Sequence, residues 1–297
     1  MEISTNIPLN SRAIMELYFT PVTPIHLGGG QEGILKQVVR VPVKGSLTPI
    51  IPAESVKGVL RLISSRIAKS MTFNDKIKKI VSLHNKDKHL PEDSSERMKL
   101  INELYEKARK ILLQIYGSKD FEEELSKDDI VELYLSLLCP ICKLYGARSI
   151  SSKLLIYDLI PLKPPKTSTY TSTSIDRKTG IVSEKKLYSV EFIVPEEENQ
   201  YYYLKMLINN VEKGSHEAKV FASTINYIIQ RGLIVGGLKT RGFGILKLDT
   251  EKSKVRILKL NPNPRTDDDI KSNIKALLLK EGHYKQVSLE KYVQAIK

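Results

Sequence analysis

The stretch Pro49-Ile50-Ile51-Pro52-Ala53-Glu54-Ser55-Val56-Lys57-Gly58-Val59-Leu60-Arg61-Leu62-Ile63 is where an extended chain becomes a helix. Two prolines punctuate the entry, and Val56, Val59, Leu60 and Ile63 then recur at helical spacing, which turns one face toward a core. Ser55, Lys57 and Arg61 stand at or near the helix start, where free amides and the helix dipole favour an anion. Lys57 and Arg61 are four residues apart on one face. The pattern suits a phosphate site as well as an ordinary helix carrying solvated cations.

Working outward toward the amino end, Ala13 to Thr20 alternates apolar and polar residues and stops at Pro21, the signature of a strand. Pro24-Ile25-His26-Leu27-Gly28-Gly29-Gly30 reads as a loop whose glycines let a ligand approach the main chain. A strand is expected to resume from Ile34 to Val43. Toward the carboxyl end, Thr72 to Leu138 reads as a helical insertion with charged helices over Glu96 to Ile115 and Asp128 to Leu138. Its Lys/Glu runs are solvated helix faces.

Lys153 to Ile160 reads as a strand, and Lys163 to Lys186 is too poor in apolar residues to bury itself, so an exposed hairpin or arm is expected. Leu187 to Val194 returns as a strand, and Glu217 to Arg231 is a helix with Val220, Phe221, Ile225, Ile228 and Ile229 on one side. Strands follow over Ile245 to Leu248 and Val255 to Leu260, then an amphipathic helix over Asp267 to Lys280 with an acidic start. This order makes an α+β domain with two protrusions. Its discontinuous core spans 1–71, 139–162 and 187–262, with the insertion at 72–138, the arm at 163–186 and a helical tail at 263–297.

At 297 residues the chain is long enough to bury a core without disulfides or metals. No apolar run approaches the length of a spanning helix, and Met1 to Asn6 lacks the basic-then-apolar pattern of a secretion signal, so a soluble cytoplasmic protein with no membrane role is expected. The 47 Lys and Arg against 34 Asp and Glu leave a net charge of +13. A polyanion is the natural partner of such a surface, although solubility and ion-pair networks also account for it.

Two further clusters carry chemistry. In Gly236-Gly237-Leu238-Lys239-Thr240-Arg241-Gly242-Phe243-Gly244, main-chain amides, the cations Lys239 and Arg241 and the stacking face of Phe243 all suit a phosphodiester backbone. The spacing fits neither a Walker loop nor a dinucleotide fingerprint. Cys139-Pro140-Ile141-Cys142 has the spacing of half a zinc knuckle, and His84 with His89 in the insertion supplies a second pair, so a structural Cys2His2 zinc site is one reading and buried thiols with surface histidines the other. A redox role is disfavoured because no thioredoxin-like context surrounds the cysteines.

Several fragments, in order from residue 25 to residue 248, together resemble the RAMP superfamily of CRISPR proteins. They are Ile25-His26-Leu27-Gly28-Gly29, Ile51-Pro52-Ala53-Glu54-Ser55-Val56-Lys57-Gly58-Val59-Leu60-Arg61, Cys139-Pro140-Ile141-Cys142-Lys143-Leu144-Tyr145-Gly146, Ser174-Ile175-Asp176-Arg177 and the loop Gly236 to Gly244. More narrowly, they are similar to the Cas7-type backbone subunit of type III (Csm or Cmr) effector complexes. The resemblance implies a modified RRM/ferredoxin-like core, a helical lid at 72–138 and a thumb hairpin at 163–186. It implies that copies bind CRISPR RNA and target RNA in a head-to-tail filament with other type III subunits. It places His26, Ser55, Lys57 and Arg61 on the guide backbone and Ile175 with Arg177 in the thumb; Lys36, Arg40, Lys239, Arg241 and Phe243 complete the expected RNA-binding set.

In cleaving members of that family an aspartate stands between the His-Gly segment and the Ile-Pro-x-x-Ser string. Here the matching stretch is Gly33-Ile34-Leu35-Lys36-Gln37-Val38-Val39-Arg40, with Leu35 or Lys36 in its place. A lysine offers phosphate a point charge and recruits no metal. The resemblance therefore implies a binding subunit without a cut of its own and without a cofactor needed for binding. Two alternatives stay open. One is an endoribonuclease using Glu32 or Asp176 with Mg or Mn; the other is metal-independent processing of CRISPR RNA with His26 as general base.

Overall fold

The computed structural model describes residues 8–43, 45–117, 121–148, 150–175, 182–196 and 200–297. Its first strand, β1 (Ser11–Pro21), buries Ala13, Met15, Leu17 and Phe19 on one face. Four short strands follow: β2 (Gly28–Glu32), β3 (Leu35–Val38), β4 (Arg40–Val43) and β5 (Ser46–Pro49). Helices α1 (Ala53–Ser70), α2 (Asp75–Leu83), α3 (Ser94–Tyr116), α4 (Phe121–Glu124), α5 (Lys127–Leu138) and α6 (Pro140–Tyr145) come next. Then come β6 (Leu154–Ile156), β7 (Ile160–Pro161), β8 (Thr167–Ile175), β9 (Val182–Ile193), β10 (Tyr202–Asn209), α7 (His216–Arg231) and β11 (Leu233–Ile234). The chain finishes with β12 (Ile245–Lys259), α8 (Asp267–Leu277), β13 (Lys285–Ser288) and α9 (Leu289–Ile296).

The main sheet has seven strands in the order β11-β12-β1-β10-β6, with β13 added on β12 and β7 on β10; every pairing is antiparallel. A register shift between Glu16 and Tyr18 bends β1 against β12 and curls the sheet. Helices α1 and α7 cover one face, where Val56, Leu60, Phe221 and Ile225 pack on the β1 and β10 side chains in one continuous core. On the other face, Ile14, Leu207 and Leu258 meet Ala276 of α8 in a smaller cluster. A second sheet, β2-β3-β9-β8, joins β3 to β9 in parallel, and β4 with β5 forms a separate hairpin.

Local chemistry sets the helix ends. Pro52 has no side chain to cap α1, and Asp158 does so from across the chain by accepting the Ala53 N–H at 2.8 Å. Asp93 caps α3 two residues earlier than the periodicity of Glu96 to Ile115 implies, and Ser126 with Asp129 closes a capping box on α5. The insertion does not stand apart. Its Ile80, Val81, Leu112, Ile130 and Val131 belong to the same core as the sheet.

Three sequence expectations change. Gly28 to Gly30 is not a loop but the start of β2, with a bulge between Gly28 and Gly30. A Cβ on Gly29 would lie 2.7 Å from Val39 backbone atoms, so that glycine serves a close chain crossing. The segments Ile245 to Leu248 and Val255 to Leu260 are one bent strand, β12. The tail is not helical throughout: β13 pairs with β12, and α9 packs Leu289, Tyr292 and Val293 into the main core. Four residues with one apolar member carry no readable period, so β13 exists only by virtue of the edge it joins.

Candidate nucleic-acid interface

The glycine-rich segment from Gly236 to Gly244 is fastened onto the chain around His26. Gly237 N–H donates to the His26 carbonyl at 2.9 Å, and Gly244 N–H donates to the Pro24 carbonyl at 2.8 Å. At Gly236, with φ +78°, a Cβ would fall 2.3 Å from the His26 oxygen. Only glycine permits that approach. The fastened loop presents a single 3-10 turn, Lys239–Arg241, whose three residues are exposed.

Between this turn, the start of β2 and the first turns of α1 lies an open groove of about 410 Å³. Leu27, Gly28, Ser55, Gly58, Gly237 and Lys239 line it. Three sequence motifs distant in the chain therefore meet in one concavity. Asp158 caps α1 from across the chain, and Ser55, the third residue of that helix, lines the groove. Glu54 is the carboxylate at the rim. Lys57 is half-buried and does not line the groove; burial, with the nearby charge of Arg61, lowers its pKa.

The other expected RNA contacts divide by position. His26 is 8% exposed and lies beneath the loop, its Nδ1 donating to the Glu191 carbonyl at 2.7 Å. That bond places the proton on Nδ1 and leaves Nε2 as the acceptor. Arg40 forks onto the Glu191 carboxylate, with Nη1 to Oε2 at 2.9 Å and Nη2 to Oε1, while Val38 N–H donates to the same carboxylate at 3.0 Å. The hydrogen bond from Arg40 holds the Glu191 carboxyl below its ordinary range. Arg40 thus ties the start of β4 to β9 rather than reaching out. Arg61 also turns inward: its Nε and Nη2 are buried without a hydrogen-bond partner, and its charge acts on Cys142 and Tyr145 of α6.

Lys36 and Arg241 remain outside, and one residue joins them. The Lys36 ammonium stands 5.6 Å from the ring centre of Tyr188, whose hydroxyl accepts from Arg241 Nη1 at 3.0 Å. Hydrogen bonds with Ser172 and Arg241 lower the Tyr188 pKa. Phe243 packs edge-on against Phe192, ring centres 5.7 Å apart. Tyr188, Phe192, Glu191 and Asp158 were not singled out from the sequence. The alternation of Leu187 to Val194 was visible, but which side of β9 meets the glycine loop is set by the β3 pairing. Glu32 ends β2 opposite Leu35, with its side chain outside the described set. Ile175 pairs with Val182 in the arm, and Asp176 and Arg177 lie outside the described residues.

On the inner side of α6, His84, His89, Cys139 and Cys142 are all buried, with ligand atoms within 4.8 Å of one another. Cys139 Sγ and Cys142 Sγ lie 3.7 and 3.6 Å from His84 Nδ1, and Cys142 Sγ lies 3.9 Å from His89 Nε2. Zinc bonded to sulfur and imidazole would set the tetrahedron edge at about 3.6 Å. Glu132 accepts from His89 Nδ1 at 2.7 Å and from the His89 and Leu90 amides at 3.0 Å. A carboxylate in this position would orient the imidazole for a metal. Burial opposes charging of His89, but hydrogen bonds with Cys139 and Glu132 prevail and raise it to about 9. A hydrogen bond from Cys142, with others from His84 and His89, keeps Cys139 on the thiolate side.

An α+β chain with a glycine-lined groove that carries Ser55 and Lys239, beside half-buried aromatic rings and the exposed cations Lys36 and Arg241, suits a nucleic-acid-binding class of protein. A family model for the RAMP superfamily matches residues 18–247, a span that takes in the His26 segment, α1, the Cys-x-x-Cys helix and the glycine loop. The chain belongs to that superfamily, and with it goes a CRISPR-associated RNA-binding role. No curated protein matches the sequence.

Proposed function

We propose that this protein is a Cas7-type backbone subunit of a type III CRISPR complex that holds guide RNA and guide-target duplex and makes no cut of its own. The observation that carries this reading is the convergence of Gly28, Ser55, Gly58, Gly237 and Lys239 on one open groove. A phosphate there meets amides, a hydroxyl and a cation together. The strand order β12-β1-β10-β6, with α1 after β1 and α7 after β10, supports an RRM/ferredoxin-like core. The β8–β9 hairpin supports the thumb reading, and the α2–α5 segment supports the lid.

Lys36 supports the non-cleaving assignment. It stands where the family's acid is expected and, with Tyr188 and Arg241, makes a cationic and aromatic platform. His26 and Arg40 act in this reading as positioning residues that hold the groove's walls. The test is cleavage of a labelled target RNA by the guide-loaded complex with magnesium or manganese. Wild type is expected to leave the phosphate at this subunit uncut, and Lys36→Asp to create a cut there; cleavage by wild type that disappears in Glu32→Ala would overturn the assignment.

We also infer a structural zinc ion held by His84, His89, Cys139 and Cys142. The mutual distances, the orienting Glu132 and the mixed thiolate and imidazole set suit that metal. Purified protein should carry about one equivalent of zinc, as four such ligands define one tetrahedral site. A metal-free preparation with an unchanged melting temperature would end this reading.

A further inference from the structure

A second basic concavity lies on the far part of β12. The bulge opposite Glu16 and Tyr18 is closed by Ser253, whose Oγ accepts from Tyr18 N–H at 3.1 Å and donates to the Asp249 carbonyl at 2.5 Å. Lys252 N–H is in turn held by Asp249 at 2.9 Å. This turn throws Lys252 over two rings, 3.7 Å from the centre of Tyr201 and 5.3 Å from that of Tyr18. Next to it β13 aligns Ser288 with Lys254, and α9 begins with Ser288 accepting the Lys291 N–H at 3.3 Å.

The bulge, β13 and α9 enclose a groove of about 840 Å³, the largest concavity described. Lys252, Lys254, Lys285 and Lys291 line it, with Glu251 as its carboxylate and the buried Tyr292 as part of its apolar wall. Among the described residues, the lysines that form ion pairs are Lys79, Lys143, Lys153, Lys166 and Lys271, none of them here. Four ammonium groups therefore crowd a concave surface against one acid. Their mutual repulsion falls when a polyanion displaces their counterions.

We propose that this groove is a second site for single-stranded RNA, with the lysines taking the sugar-phosphate backbone. Four ammonium groups without ion pairs suit the closely spaced phosphates of a nucleic acid, and in a chain of an RNA-binding superfamily RNA is favoured over an acidic protein. The site is separate from the α1 groove: the two have no lining residue in common. The inference rests on the RNA-binding reading above.

The test compares the full-length wild type with Lys285→Glu/Lys291→Glu and, for the first groove, Lys239→Glu. Binding of a long labelled single-stranded RNA is titrated across salt concentrations, and ultraviolet crosslinks are mapped. The double variant should weaken binding roughly tenfold and reduce the slope of log affinity on log salt by about 1.4, the value for two lost single-strand phosphate contacts. Crosslinks within the β13–α9 segment should persist in Lys239→Glu and be lost in the double variant with an unchanged melting temperature. Unchanged affinity and slope in the double variant, or a change in self-association alone, overturns the second site while leaving the first intact. Wild type that binds no RNA overturns both readings.

Discussion

The two sides of α1 make opposite use of the same kinds of residue. On its outer side, near Ser55 and Gly58, the groove is open, rimmed by glycines and short of paired charges. On its inner side the histidines and cysteines are buried and close to one another, and the donors left without a partner there are His84 Nε2 and Arg61 Nε and Nη2. The first arrangement waits for a ligand that comes and goes. The second suits an ion that stays, because buried thiolates and imidazoles with no partner would be costly. Exposure, more than residue type, separates a binding surface from a structural one.

The largest test of this contrast is Cys139→Ser. It should destabilise the fold by about 3 kcal/mol or more, as loss of a structural metal ligand does, with little direct effect on RNA affinity measured below the melting transition. A variant that unfolds normally but fails to bind RNA would invert the assignment of the two sides.

Gly236→Ala acts on the outer side and should do both things moderately. Its Cβ would collide with the His26 carbonyl, and its backbone would be strained at positive φ. Loss of about 1–3 kcal/mol is expected from strain of this kind, together with weaker RNA binding because Gly237 and Lys239 move. Gly242→Ala is the control: it also has positive φ but nothing within 4 Å, so it should retain more of both properties.

The smallest effect is expected at Glu191, which belongs to neither side but braces the groove through Arg40 and Val38. Its folded pKa lies below the ordinary value, so its stabilisation is present at neutral pH and is lost as pH falls from about 4.3 through the folded value. Glu191→Gln should lower the melting temperature by a few degrees at pH 7 and hardly at all well below pH 4. Equal shifts at both pH values would show that packing, not the ion pair, accounts for the loss.

Much of this arrangement was legible in the residues. The β1 alternation, the α1 and α7 periodicities and the charged insertion all appear where local pattern dictates, because each has a long, regular apolar face. The pairing of Cys139 and Cys142 with His84 and His89 was readable by residue type alone. Glu132, which orients His89, was not, since one acid among many in a charged helix carries no distinguishing period.

Sequence alone determined β1, α1, α7 and the charged helices of the insertion, the net charge of +13 and the set of residues able to meet phosphate or metal. Tertiary structure decided which of those residues face outward. His26, Arg40 and Arg61 have the right chemistry for RNA, yet the first two turn toward Glu191 and the third toward α6. Tyr188 and the β12–β13 groove became visible only when strands far apart in the chain were placed side by side. The physical reason is that propensity and periodicity act within a few residues, whereas a site is made by non-local pairing and by burial, which assigns each cation either to an internal partner or to solvent.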